Sequence, residues 1–143
     1  MAYLSDRANH SLTVAKQMYE IALERSNDEF YAQKMFHLGL VHDIGYQFTN
    51  NNKEHAHVGG AFLREEGYAY WKEVYYHGDP SILELTQPSD EWFILNIADM
   101  QTDSKGNKVS FDVRLKDIGD RYGYDSQEYK MAKAMITKLQ SEL

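Results

Sequence analysis

The chemistry this chain can offer rests on imidazole and carboxylate. Its 143 residues include six histidines and no cysteine. That excludes disulfides, thiolate nucleophiles and sulfur-ligated metals together, so any bound metal must be held by nitrogen and oxygen. The first residues to weigh are His42 and Asp43, within Gly39-Leu40-Val41-His42-Asp43-Ile44-Gly45. Adjacent residues of a helix point about 100° apart, so both side chains can reach one cation lying between them. His42 shares a helical face with Met35 and Leu38 and so points inward; taken alone, the dipeptide reads equally as a helix-end histidine beside a capping aspartate.

The other candidates also carry two readings. His10 lies on a stripe with Val14 and Ile21, which suits a buried hydrogen-bonded histidine as well as a ligand. Arg7, one turn earlier, could hold a phosphate beside it or be solvated. His55 shares a face with Val58, Gly59 and Phe62 and looks inward; His57, with Gly60, Ala61 and Arg64, looks outward. Gly59-Gly60 is unfavourable inside a helix, and close approach of a neighbouring element is a reason to keep it. His77 ends an apolar helical stretch, where it can ligate or interact with the helix dipole. Asp99 stands in the otherwise apolar run Phe93-Ile94-Leu95-Asn96-Ile97-Ala98-Asp99-Met100, and a buried carboxylate needs a partner or a metal. Asp103, one turn on, could back a ligand or face water, and His37 reads as half-exposed. Jointly, four inward histidines and two aspartates on five helices have the composition of a nitrogen- and oxygen-ligated transition-metal site, whereas calcium or magnesium would prefer more oxygen.

Helices must position these residues, because strand signals are weak and helix starts and stops are frequent. The spacing predicts a first helix over 6–25, and a second from Asn27-Asp28 to a glycine stop at Gly45. A third runs from Lys53 to Glu66, and a fourth from Tyr70 to His77 before Gly78-Asp79-Pro80. A short turn is expected over Ser81–Leu85. Pro88 is expected in the first turn of a helix running to Thr102, followed by a turn over 103–107. Ser110 caps a helix that ends at Gly123, and Asp125 or Ser126 caps a last amphipathic helix. The expected fold is all-α, a compact bundle of six to seven helices around the metal site, with residues 1–143 as one domain.

Composition bounds the function. A hydrophobic share of 43% supports a packed core. A net charge of −7 argues against a generic nucleic-acid surface, but a local cation can still bring a phosphate to the site. No apolar run is long enough for a bilayer and no charged-then-apolar segment opens the chain, so a cytoplasmic protein without a membrane partner is expected. Eleven tyrosines leave apolar surface that a homodimer could cover. No phosphate-cradling glycine loop is present, so phosphate recognition would fall to metal and side chains.

The ordered set His10, His42-Asp43, Asp99 resembles the HD-domain superfamily of metal-dependent phosphohydrolases. Arg7-Ala8-Asn9-His10-Ser11 with Val14-Ala15 is similar to its first-helix motif, and His42-Asp43-Ile44-Gly45 to its signature in the HD-Ile-Gly form. His55-Ala56-His57-Val58-Gly59-Gly60 resembles the third-histidine helix of the two-metal subgroup, Tyr76-His77-Gly78 its fourth-histidine position, and Ala98-Asp99 its closing aspartate. The likeness spans residues 5–104. Ala56 stands where that family often has proline, and His57 competes with His55 for the alignment.

The resemblance implies an all-helical fold and hydrolysis of a phosphoester or phosphoanhydride by metal-bound hydroxide. It implies His10, His42, Asp43 and Asp99 around one divalent transition metal (iron, manganese, nickel, cobalt or zinc). His55 and His77 would hold a second, with Asp43 bridging. Asp43 and His77 would be catalytic. Separately from the resemblance, Arg7, Lys53 and Arg114 are expected to contact a small, nucleotide-like phosphorylated substrate. A one-metal enzyme using His55 and His77 as acid–base groups and a non-catalytic ligand-binding or regulatory domain are the alternatives. Apart from Arg114, nothing from Ser110 onward is tied to a reaction.

Overall fold

The computed structural model describes residues 2–143, with side chains from Ser5 on. Its described residues form seven α-helices: α1 (Ala2–Ser26), α2 (Glu29–Val41), α3 (His55–Glu65), α4 (Trp71–Tyr75), α5 (Asp90–Asp99), α6 (Phe111–Tyr122) and α7 (Gln127–Ser141). Two 3₁₀ turns, Ile44–Gln47 and Pro80–Glu84, join them. The described residues contain no strand, only an isolated bridge between Thr102 and Lys108. None of the described helices is long and apolar enough to cross a membrane.

Local chemistry accounts for most helix boundaries. Asn27 adopts φ 54° and ends α1, a left-handed cap that asparagine tolerates. Asp28 then caps α2 by accepting from the Tyr31 N–H. Ser89, Ser110 and Ser126 cap α5, α6 and α7 in the same way. Several expected boundaries move. Helix α2 stops at Val41, so His42 and Asp43 lie just beyond it and Gly45 sits inside a 3₁₀ turn. Pro88 precedes the Ser89 cap rather than entering the first turn of α5. That helix ends at Asp99 and α3 begins at His55, so two of the candidate side chains sit at helix termini.

The core lies in two clusters with α5 between them. One joins Val14, Met18 and Ala22 of α1, Met35 and Leu38 of α2, and Ile94, Leu95 and Ala98 of α5. The other joins Trp92, Phe93 and Ile97 of α5 to Phe111 and Ile118 of α6 and Met135, Ile136 and Leu139 of α7. Every residue from Trp92 to Met100 is buried. A helix apolar on all sides is held from all sides, and α5 is therefore the rigid post from which Asp99 projects.

Candidate metal centre

Four imidazoles and two carboxylates converge where the ends of α2, α3, α4 and α5 meet the side of α1. His42 is completely buried, and His10, His77 and Asp99 are nearly so. Asp43, in the bridge region of the backbone at φ −102°, ψ 18°, stands between two pairs of histidines. Its Oδ2 lies 3.3 Å from His42 Nε2 and 3.7 Å from His10 Nε2. Its Oδ1 lies 3.3 Å from both His55 Nε2 and His77 Nε2. Asp99 Oδ1 closes the first half, 2.9 Å from His10 Nε2 and 3.6 Å from His42 Nε2.

The hydrogen bonds behind each ring determine what it presents. His42, His55 and His77 sit at or beside helix ends, and each donates Nδ1–H to the carbonyl three residues earlier: Gly39 at 2.7 Å, Asn52 at 2.6 Å and Val74 at 2.6 Å. His10 lies within α1, where carbonyls are already occupied, and donates instead to the Asp103 carbonyl at 2.8 Å. A carbonyl only accepts, so Nδ1 carries a proton and, in each neutral ring, Nε2 turns a lone pair inward. The inward atoms are then all acceptors. His55 Nε2 and His77 Nε2 stand 3.1 Å apart, and His42 Nε2 is buried with no hydrogen-bond partner among the described residues. Such a cluster is repulsive until a positive charge enters it.

The electrostatics agree. Burial disfavours a charged His42, but Asp43 and Asp99 outweigh it and raise its pKa well above the ordinary histidine value. Burial alone would raise Asp43 and Asp99. Instead, His42 with His55 and His77 holds Asp43 well below the usual carboxylate range, and His10 with His42 does the same for Asp99. The donors fit one or two divalent transition ions: three sets of three ligand atoms, His10/His42/Asp43, His42/His77/Asp99 and Asp43/His55/His77, are each close enough to share one.

Small residues let the elements come this close. A side-chain carbon at Gly45 would overlap the His55 carbonyl, and one at Gly60 would fall 2.5 Å from Tyr75 Cβ. His57 is exposed, lies on the cleft outside the donor groups and stacks on Tyr75, ring centroids 4.3 Å apart. His37 is exposed, beside the Tyr68 hydroxyl.

The donors open into a cleft of about 940 Å³, and Arg7, Lys53 and Arg114 all line it. Arg114 is buried, 3.1 Å from Asp117 Oδ2 and 3.8 Å from Asp99 Oδ1, with no partner for Nε. Arg7 lies 3.4 Å above the Tyr46 ring, and His55 stacks on Tyr46 at 4.3 Å. Two groups that close cannot share a face, so Tyr46 is sandwiched and braces both. Sequence reasoning missed Tyr46 and Asn96. Buried Asn96 accepts from the Gly78 N–H at 2.8 Å and donates to the Trp92 carbonyl, pinning the chain next to His77. The signal was present: an amide within an apolar helix, as with Asp99. Arg114, expected as a substrate contact, lines the cleft, but the rest of that far wall was missed: Asp117, Ile118, Arg121 and Tyr122 share its helical stripe of α6, joined by Met131 and Ala132 of α7.

Comparison with known proteins bears on residues 7–105, which match a family model described as HD domain. No curated protein and no solved structure matches the chain.

Proposed function

The chain belongs to the HD-domain family, a superfamily of metal-dependent phosphohydrolases, and from that premise we propose that it hydrolyses a phosphoester or phosphoanhydride bond of a small nucleotide-like substrate with two divalent metals. The observation that carries this reading is the division of labour at Asp43. Each of its oxygens faces one pair of inward Nε2 atoms, the arrangement expected of a carboxylate shared by two cations. His10, His42 and Asp99 would complete one position, and His55 and His77 the other.

Cations held by these residues would lower the pKa of water and offset charge developing on phosphate oxygens. The chain's own residues do the rest. The carbonyl bonds behind the imidazoles keep the donors oriented before substrate arrives, so little reorganisation accompanies binding. Arg114, fixed between Asp99 and Asp117, can turn its guanidinium to a phosphate oxygen beside the donors. Arg7, braced flat on Tyr46, and exposed Lys53 approach from other parts of the rim. The cleft is larger than a phosphate needs and falls in the size range of small-molecule sites. Its apolar lining from Ile118, Tyr122 and Met131 suits the body of a nucleoside-sized leaving group.

Metal analysis of protein purified without chelator, followed by a panel of nucleotides and simple phosphate esters, tests the proposal. Two equivalents of iron, manganese, nickel, cobalt or zinc per chain with release of phosphate are expected. A single equivalent with activity would replace it with a one-metal enzyme in which His55 and His77 move protons. Metal-free protein inert toward the whole panel under every added ion would point to a ligand-binding domain.

A further inference from the structure

Three of the four inward imidazoles are oriented by carbonyls three residues away, in the same stretch of chain. His10 is the exception, oriented from across 93 residues of sequence. The segment that reaches it, Gln101 to Lys108, is built to stay in place. Its Asp103 carboxylate accepts from the N–H of Lys105 at 2.9 Å, the N–H of Asn107 at 2.8 Å and the side-chain amide of Asn107 at 3.0 Å. The Asp103 N–H donates to the Asn107 carbonyl and the Gly106 N–H to the Asp103 carbonyl, closing the turn.

The turn is seated on α1 at several points around His10. Thr13 donates its hydroxyl to the Gly106 carbonyl at 2.7 Å. Buried Gln17 donates to the Gln101 carbonyl at 3.1 Å and to the Thr102 hydroxyl at 2.6 Å. Gly106 has φ +91° and presses on the Asn9 backbone, where a side-chain carbon would come within 2.6 Å. Positive φ and contact with backbone both demand glycine there. The result is a rigid acceptor placed behind His10 by a segment that itself offers no donor to the cluster.

We propose that the Asp103 turn is the positioning element for His10, governing how firmly a cation is held in the His10/His42 half of the centre without governing the His55/His77 half. The proposal rests on the reading of His10 as a metal donor. Losing the turn frees the His10 ring to exchange its proton between Nδ1 and Nε2 and to rotate, and outer hydrogen bonds of this kind carry roughly 10–100-fold in metal affinity. The other three rings keep their local acceptors.

The test compares Asp103→Ala with Asp103→Asn. Both remove the charge, but asparagine retains an acceptor for the two backbone N–H groups. Chelator competition on metal-loaded protein reads the affinity of each position, with His10→Ala as reference. Asp103→Ala is expected to weaken one position roughly 10–100-fold and leave the other unchanged, and Asp103→Asn to restore most of the loss. In metal-free protein at alkaline pH, imidazole ¹⁵N spectra should show His10 as the Nδ1–H form in the natural chain and as a tautomer mixture in Asp103→Ala, with His42, His55 and His77 unmoved. Should Asp103→Ala fold poorly, Thr13→Val removes a single seat of the turn and should produce the same loss in smaller measure.

Unaltered affinity and an unaltered His10 spectrum in Asp103→Ala would overturn the proposal, as would equal losses in the alanine and asparagine variants. If His10→Ala itself retains both metals, it is the donor assignment that fails, and the tautomer spectra still decide whether the turn orients His10.

Discussion

The cleft has two unlike walls. One, from α1 to α5, presents donors whose backs are tied to main-chain carbonyls and whose supporting helix is buried throughout. The other, from α6 and α7, presents a stripe of side chains held by side-chain contacts, such as that of Arg114 with Asp117. Backbone-tied groups lose little freedom when a ligand arrives and tolerate little substitution, whereas a side-chain stripe on a capped helix can change its lining without disturbing the fold. On the proposed function, the first wall fixes the chemistry and the second shapes what is admitted.

The sharpest break in that contrast is at Asp43. Asp43→Asn keeps the size of the side chain but removes the negative charge shared by four imidazoles. Both halves of the cluster should lose metal together, and turnover should fall roughly a thousandfold or more, the equivalent of several kcal/mol of lost charge stabilisation. Metal analysis alongside single-substrate kinetics reads both. If the variant keeps one metal at full affinity, the carboxylate is not shared and the two-metal reading fails.

Arg114 tests whether the second wall is separate. It reaches toward Asp99 from α6 and is buried, so it could serve the donors instead of the substrate. On the proposed reading, Arg114→Ala lowers turnover roughly 10²–10³-fold, as removal of a group aimed at developing charge does, while metal content stays at the natural level. Arg114→Lys recovers part of the loss, because a point charge replaces a two-pronged donor. Metal lost in step with activity would move Arg114 to the first wall and collapse the distinction.

The two walls also differed in how far they could be read from sequence. His42-Asp43 and Asp99 were legible because burial makes a titratable group conspicuous: each stands in an apolar setting that calls for a partner. The inward facing of His10 and His55 was legible from helical spacing for the same reason. Arg114 was expected to meet a substrate, but its stripe with Asp117 and Arg121 was not seen, because a charged stripe on an amphipathic helix looks the same whether it faces water or a cleft. Only the packing of α6 and α7 against Trp92, Phe93 and Ile97 distinguishes the two. The misplaced boundaries have a similar origin. Gly45 carries the mark of a helix stop, yet contact with the His55 carbonyl is what requires it. Pro88 suits a first turn, but Ser89 is the better cap and takes that place. Asp103 stood out as a residue that could back a ligand, but that its main-chain carbonyl does so behind His10 could not be read, because a carbonyl carries no side-chain signature.

The gentlest test acts on the second wall alone. Ser126 caps α7 by accepting from the Tyr129 N–H at 3.1 Å, and its hydroxyl donates to the Gly123 carbonyl at 2.6 Å. Ser126→Ala should cost about 1 kcal/mol, which for a chain of this length lowers the melting temperature by roughly 2–4 °C. Helix α7 should persist, since Ala132, Met135, Ile136 and Leu139 hold it in the second core cluster, but its first turn should fray. That turn carries Gln127 and Glu128 on the cleft, and Glu128 accepts from the Asn52 side chain at 2.9 Å. The expected signature is a raised KM for a nucleotide-sized substrate with unchanged metal content and little change in kcat. A fall in metal content here would be the more informative result, because Asn52 also supplies the carbonyl behind His55; it would mean that the second wall reaches the donors through this one residue and that the walls are coupled.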